Sequence, residues 1–299
     1  MEKALMALIT GCGSGIGRHL TTVLSQKEYC ILATDINSES LERSAKDLAW
    51  NSEKVQLKKL DVRKADEWED AVATVVQKWG RLDLCMNIAG FAIPGFVGEF
   101  PLEHIDLHLD INTKGAILGT RCAAQQMIKQ KAGHIVNMCS LAGLAPVPGI
   151  SLYCASKFAL RGFSLAAYYE LKPLGIDISI VEPDLVDTPK LQTQLLYDEE
   201  AAAIGCSARK IVRLGEIEEV FLKKVLRDRV LEIAIPLSRG WLARFAGDFP
   251  TLCGKMHATM KRMGMKNLAR EKARRGDYAQ VMTPDRWICE QEAQEKDRS

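Results

Sequence analysis

Short, nearly continuous apolar runs alternate with longer stretches of helical periodicity along most of the chain. The runs Leu5–Thr10, Cys30–Thr34, Val55–Leu60, Leu82–Asn87, His134–Cys139, Asp177–Glu182 and Val230–Ile235 read as strands. Most lack polar alternation, as expected of strands covered on both faces. Between them, Ser38–Trp50, Ala65–Trp79, Ile111–Gln130 and Lys157–Leu171 read as helices. Strand and helix in alternation predict an α/β fold, a doubly wound parallel sheet of about seven strands with right-handed crossovers.

The pattern changes after Glu182. The segment from Pro183 to Pro189 reads as a loop, and a polar stretch from Lys190 to Ala208 as a helix able to move over a site. Past Pro236 comes a helical extension with Trp241, Leu242, Phe245 and Leu252, then Met256, Met260, Met263 and Met265. Its polar positions are mostly Lys and Arg. The last residues, 290–299, read as a solvated tail. The expected division is residues 1–236, carrying a substrate loop at 184–210, and an extension with its tail at 237–299. No internal repeat or low-complexity linker interrupts the chain.

Composition narrows the function classes. The 299 residues carry 40 Lys and Arg against 38 Asp and Glu, so bulk charge favours no nucleic-acid partner. The nine cysteines are scattered without a CxxC pair, which reads as reduced thiols in a reducing, cytoplasmic setting. None of the five histidines stands near cysteines at zinc spacing, so no metal site is expected, and His19, His104, His108, His134 and His257 receive no catalytic role. The first apolar run is too short to span a bilayer and leads straight into a glycine turn, so it is not read as a targeting segment.

That turn carries the first candidate chemistry. Thr10-Gly11-Cys12-Gly13-Ser14-Gly15-Ile16-Gly17 joins a strand to a helix. Glycines let backbone approach a pyrophosphate, and the helix start offers free N–H groups. A plain tight turn would need similar residues. Asp35 ends the second strand about 20 residues later, where a carboxylate can hold the ribose hydroxyls of NAD and repel a 2′-phosphate. No Lys or Arg lies at Cys12-Gly13-Ser14 or at Ile36-Asn37, which favours NAD over NADP. Asp35 as a helix cap is the competing reading, but Ser38 is the better cap candidate. Asp61-Val62 and Asn87-Ile88-Ala89-Gly90 close the third and fourth strands, at the sheet end where ligands bind. There Asp61 can receive an adenine amino group, and Asn87 and Gly90 can support the cofactor.

A second constellation suits proton transfer. Tyr153 and Lys157 stand at i and i+4 at a helix start, one turn apart on one face. A free tyrosine titrates near 10, and a neighbouring ammonium favours its phenolate. Ser140 ends the fifth strand, where its hydroxyl can orient a substrate oxygen. Asn112 lies inside a helical stretch, an unfavourable place that hints at a task.

These residues, in this order over about the first 190 positions, resemble the short-chain dehydrogenase/reductase family. The resemblance implies a Rossmann-like sheet with Tyr153 as general acid/base and Lys157 lowering its pKa and binding the nicotinamide ribose. It implies that Ser140 holds the substrate oxygen, that Asn112 positions a water in a proton relay ending at Lys157, and that Thr188 contacts the nicotinamide carboxamide. The implied cofactor set is Thr10, Gly11, Gly13, Ser14, Gly15, Ile16, Gly17, Asp35, Ile36, Asp61, Val62, Asn87, Ala89, Gly90, Tyr153, Lys157, Pro183, Val186 and Thr188. The helices bearing Asn112 and Tyr153 are expected to build a homodimer or homotetramer. Two positions depart from the family pattern: Ile88 replaces a second Asn, and Asp184 replaces the Gly after Pro183.

Leu191, Leu195, Leu196, Tyr197 and Ile204 in the substrate loop, and the apolar residues after Ser140 and Gly90, favour a hydrophobic secondary alcohol or ketone. A steroid, retinoid or other lipid-like compound fits better than a sugar, placing the enzyme in lipid metabolism. The extension has three readings: a pocket wall, an oligomer contact, or a surface peripheral to an anionic membrane. Against the enzyme stand two alternatives, a non-catalytic dinucleotide sensor or scaffold and a membrane-peripheral protein acting through its extension.

Overall fold

The computed structural model describes residues 4–189, 191, 211–255 and 257–275. The expected cover helix at 190–208, with Leu195, Leu196, Tyr197 and Ile204, lies almost wholly outside the described residues, as do Met256 and the tail. Seven strands form one parallel sheet: β1 (Leu5–Thr10), β2 (Tyr29–Asp35), β3 (Val55–Lys59), β4 (Leu84–Asn87), β5 (Gly133–Met138), β6 (Ile176–Pro183) and β7 (Glu232–Ile235). Their order is β3-β2-β1-β4-β5-β6-β7. The direction of winding reverses between β1 and β4, which opens a crevice at the carboxyl ends of those strands.

The apolar runs explain the layering. Successive side chains of a strand point to opposite faces. Ile9 and Ile31 therefore join the core beneath α1 (Gly15–Ser25) and α2 (Ser38–Asp47), while Leu8 and Leu32 join the core beneath α3 (Ala65–Trp79). Trp68 fills the second core and Phe221 the first, both fully buried. Each such side chain contributes about 1.5–3 kcal/mol through burial.

Several boundaries differ from expectation for local reasons. The second helix stops at Asp47 rather than Trp50 because Ala49 takes a left-handed conformation, φ 48°. Its cap is Asn37, whose side chain accepts from the Ser40 N–H, rather than Ser38. β4 starts at Leu84 because both backbone groups of Leu82 are taken by the Gln130 amide, at 2.9 and 2.8 Å. β7 starts two residues late, after a left-handed turn at Arg229.

The helix expected at 111–130 is a wide π turn (Asp110–Lys114) followed by α5 (Gly115–Gln130), and α4 (Glu103–Leu109) runs into that turn from before it. The next helix, α6 (Ser151–Leu171), begins six residues early, so Tyr153 stands in its first turn. A buried polar chain fastens α6 to the sheet. Asn87 Nδ2 donates to Asn137 Oδ1 at 2.7 Å, and Asn137 Nδ2 donates to Ser164 Oγ at 2.8 Å. After β6 come α7 (Leu214–Val220), a wide turn to Arg227 and β7. The extension then forms α8 (Leu237–Asp248), α9 (Pro250–Gly254) and α10 (His257–Arg275).

Candidate active site

A cavity of about 1030 Å³ opens at the carboxyl ends of the strands. One end is walled by Gly11, Gly13, Ser14, Gly15, Ile16 and Gly17 with Asp35 and Ile36; the centre by Asp61, Val62, Ala89 and Gly90; the far end by Ser140, Tyr153 and Lys157 with Pro183, Val186 and Thr188. Most of the expected site residues thus share one wall.

The glycine turn is built for close approach. A Cβ on Gly17 would collide with the Gly11 carbonyl oxygen, so the turn can fold back on itself at that position only with a glycine. The N-terminus of α1 carries neither a side-chain cap from Ser14 nor an acid in its first turn. Its N–H groups and positive dipole end are therefore available to an anion. Asp35 Oδ2 accepts the Gly13 N–H at 2.9 Å and Oδ1 accepts the Asn37 N–H at 3.0 Å. Burial raises the Asp35 carboxyl, and those backbone hydrogen bonds oppose the rise. A dinucleotide fits this donor set: a bare helix start for phosphates, and a carboxylate at the strand end for ribose hydroxyls.

Three expected residues stand behind the wall. Thr10 is buried, and its Oγ1 accepts the N–H groups of Ile88 and Ala89 at 3.0 and 3.1 Å, tying β1 to the turn after β4. Asn87 is spent on the polar chain to Asn137 and Thr120. Asn112 Oδ1 accepts the Phe91 N–H at 2.7 Å, while its Nδ2 donates to Phe91 O at 2.8 Å and to Ser156 Oγ at 3.0 Å. The Asn112 side chain thus clamps the Phe91 backbone to α6. Asp61, although on the wall, is gripped by Arg63 through contacts of 2.8–3.1 Å. Burial raises its carboxyl, but Arg63 outweighs that and holds it below the ordinary range.

The far end gathers the hydroxyl groups and the ammonium. Lys157 Nζ donates to Met138 O at 2.9 Å and lies 5.6 Å from the centre of the Tyr153 ring. Burial lowers Lys157 to about 8. Burial raises the Tyr153 phenol, and the main pull the other way is its hydrogen bond with Ser140 rather than the ammonium expected from spacing. Ser140 Oγ also accepts the Ala142 N–H at 3.2 Å.

Further residues complete the wall, of which Arg43, Arg63 and Arg239 were not expected from the sequence. Arg43 and Arg63 line the end near Asp35, and Arg239, Leu242, Ala243, Ala246, Pro250 and Met260 bring the extension to the other end. The extension thus lines the cavity, as the pocket-wall reading among the three places it. Asp184, the departure from the family pattern, is ion-paired with Arg239 at 2.9 Å. Burial raises its carboxyl and Arg239 opposes the rise. One layer below, Glu182 of β6 lies fully buried among Arg161, Arg244 and Glu232. Arg161 and Arg244 reach Glu232 at 2.5 and 2.6 Å and Glu182 at 3.4 and 3.5 Å. Burial and then the Glu232 carboxylate push Glu182 up to about 8.

The described cysteines are all free. No group of metal-ligating side chains, and no helix long and apolar enough to cross a membrane, occurs among the described residues.

Comparison with known proteins agrees with this geometry. A family model described as short chain dehydrogenase matches residues 5–197. The 3-oxoacyl-[acyl-carrier-protein] reductase FabG of Thermotoga maritima is 34% identical over 215 residues, covering 72% of this chain and 86% of that protein. An uncharacterized oxidoreductase of Staphylococcus aureus (strain MRSA252) is 29% identical over 183 residues, covering 61% and 78%. Among solved structures, a short chain dehydrogenase/reductase from Burkholderia phymatum in complex with NAD superposes with a TM-score of 0.74 at 22% identity, over 84% of this chain and 95% of that one. Levodione reductase superposes with a TM-score of 0.72 at 24% identity, over 80% and 98%. At these identities the structural likeness is one of fold.

Proposed function

This chain belongs to the short-chain dehydrogenase/reductase family, enzymes acting on CH–OH and keto groups, and we propose that its own reaction moves a hydride between NAD and a hydrophobic secondary alcohol or ketone. The observation that carries the reading is the placement of Ser140, Tyr153 and Lys157 on one end of the cavity whose other end is the bare helix start beside Asp35.

Bound NAD would supply the hydride acceptor. The α1 N-terminus and the glycine backbone would hold its phosphates, Asp35 its adenosine ribose, and Lys157 its nicotinamide ribose. Pro183, Val186 and Thr188, which line the same end of the cavity, would border its reacting end. Asp35 disfavours a 2′-phosphate; NADP is the competing cofactor, and Arg43 on the same cavity wall is a cation that its phosphate would use.

Ser140 Oγ holds the substrate oxygen. Tyr153 Oη takes the alcohol proton in oxidation and returns it in reduction. Asn112 sets the Phe91 turn and α6 in place beside Lys157, and contributes to proton passage through that placement. Phe91, Leu141, Ala142, Pro146, Val147 and Leu242 make the substrate end apolar, which supports a lipid-like substrate. Phe158 and Tyr169 are exposed on α6, Tyr169 by 71%, and support a homodimer through α5 and α6.

The test is absorbance of reduced nicotinamide with a panel of hydrophobic alcohols and ketones, each with NAD and NADP. Turnover with NAD, lost in Tyr153→Phe while NADH binding persists, is the expected result. Turnover unaffected by Tyr153→Phe would remove the assigned base.

A further inference from the structure

Helix α8 is built inside out. Its small residues face the protein: a Cβ on Gly240 would run into Ala234, and one on Gly247 into the Leu144 carbonyl oxygen. The backbone of α8 thus lies directly on the core. Its large apolar residues face outward, with Leu237 62% exposed and Trp241 74% exposed. Phe245 and Phe249 continue the row at intervals of four, their ring centres 4.9 Å apart. Leu252 of α9 and Met260 and Met263 of α10 extend the exposed apolar surface. An amphipathic helix ordinarily buries its large apolar side chains, so this row serves something other than the fold.

Two features indicate what covers it. First, residues 237–275 hold ten Lys and Arg against only Asp248 and Glu271, in a chain whose net charge is +2. Arg239 and Arg244 are engaged inward with Asp184, Glu182 and Glu232, but Lys255, Arg262, Lys266 and Arg270 are exposed. Two copies meeting through this face would bring two basic segments together, whereas an anionic surface complements it. Second, the surface is continuous with the cavity, because Leu242, Pro250 and Met260 line it.

We propose that the outer face of α8, α9 and α10 docks on an anionic lipid bilayer surface, with Trp241, Phe245 and Phe249 entering the headgroup region and the cavity rim facing the lipid. Binding is interfacial, driven by apolar burial together with attraction of the basic rim to anionic headgroups. A substrate dissolved in the bilayer would then reach the cavity without crossing water; that part rests on the reading of a hydrophobic substrate.

The experiment sediments the full chain with vesicles of phosphatidylcholine alone or mixed with phosphatidylserine, at low and physiological salt. Binding to the mixed vesicles is expected to be at least about tenfold tighter than to phosphatidylcholine alone and to weaken with salt. Trp241→Asp with Phe249→Asp should abolish it, and Arg262→Glu with Lys266→Glu should remove the preference for phosphatidylserine. Both double variants should retain turnover of a short, water-soluble ketone, which shows that they fold. Absence of vesicle binding by the unaltered chain overturns the proposal. So does a dimer, seen by sedimentation velocity, that Trp241→Asp with Phe249→Asp dissociates, since a second copy would then occupy the face. Vesicle binding is read without turnover, so failure of the substrate reading would show separately as a lack of activity on hydrophobic alcohols in detergent.

Discussion

Arg239, in the first turn of α8, donates to the Asp184 carboxylate at 2.9 Å and so fastens the loop after β6 to the extension. The same loop carries Val186 and Thr188 on the cavity wall. An acid stands there in place of the family's usual glycine, and the extension supplies its cation.

Arg239→Met leaves Asp184 largely buried without its counter-charge. Because Arg239 is about one-third exposed, the cost is discounted to about 1–2 kcal/mol from that of a fully buried pair. Urea unfolding should show that loss, and steady-state kinetics a raised KM for a hydrophobic ketone with little change in kcat. Asp184→Asn combined with Arg239→Met should restore most of the stability.

Asp35→Ser removes the carboxylate from the ribose position. A hydrogen bond to a charged group is worth about 1.5–3 kcal/mol, so kcat/KM for NAD should fall roughly 10- to 100-fold. NADP should lose less, because Arg43 remains on that wall. Comparing the two cofactors at one substrate concentration checks it. An equal loss for both would mean that Asp35 acts only through Gly13 and Asn37.

Ser140→Ala deletes the hydrogen bond that opposes the burial of the Tyr153 phenol. It also deletes the group assigned to the substrate oxygen. The expected outcome is a fall in kcat of roughly 100- to 1000-fold with NADH binding retained, measured by turnover and by NADH fluorescence.

Glu182 gives the fold a pH dependence. Its pKa is about 8 in the native protein against an ordinary value of 4.5. Between those values the native state holds a proton that the unfolded chain releases, so stability falls as pH rises through that window. Glu232, held below its ordinary range by the two arginines against the effect of burial, stays ionised throughout. Lys157, lowered to about 8, has its effect above the window. Burial lowers His134 from 6.5 to about 4, which gives the opposite slope below pH 6.5, so thermal unfolding of Glu182→Gln should be flatter than that of the unaltered chain between pH 6.5 and pH 8.

The fold was legible wherever local pattern and tertiary demand agreed. The bounds of β1 and α3 match the apolar pattern to the residue, and the carboxyl-end residues Asp35, Ser140 and Thr188 reach one cavity because a parallel sheet brings strand ends together. What escaped the sequence depends on partners far along the chain. Thr10 belongs to a ligand-binding turn by spacing, yet its hydroxyl is claimed by backbone 78 and 79 residues away. Asn87 is claimed by Asn137, 50 residues on. Arg63, two residues after Asp61, was a local signal that the acid had a partner. Arg239 had none, since only the fold lays α8 beside Asp184. The outward row on α8 was present as Trp241, Phe245 and Phe249, but its direction required knowing where Gly240 and Gly247 pack.

The bond from Asn137 to Ser164 sets the phase of a helix. Ser164 lies eleven residues, three turns, beyond Tyr153, so the two share one side of α6. Slippage by a single position would swing the phenol about 100° around the axis, away from Ser140. A packed apolar contact tolerates small sliding; a directional bond between two interior amide and hydroxyl groups does not. The placement of the reacting oxygen is thus gauged from deep within the molecule, by atoms that never meet the substrate.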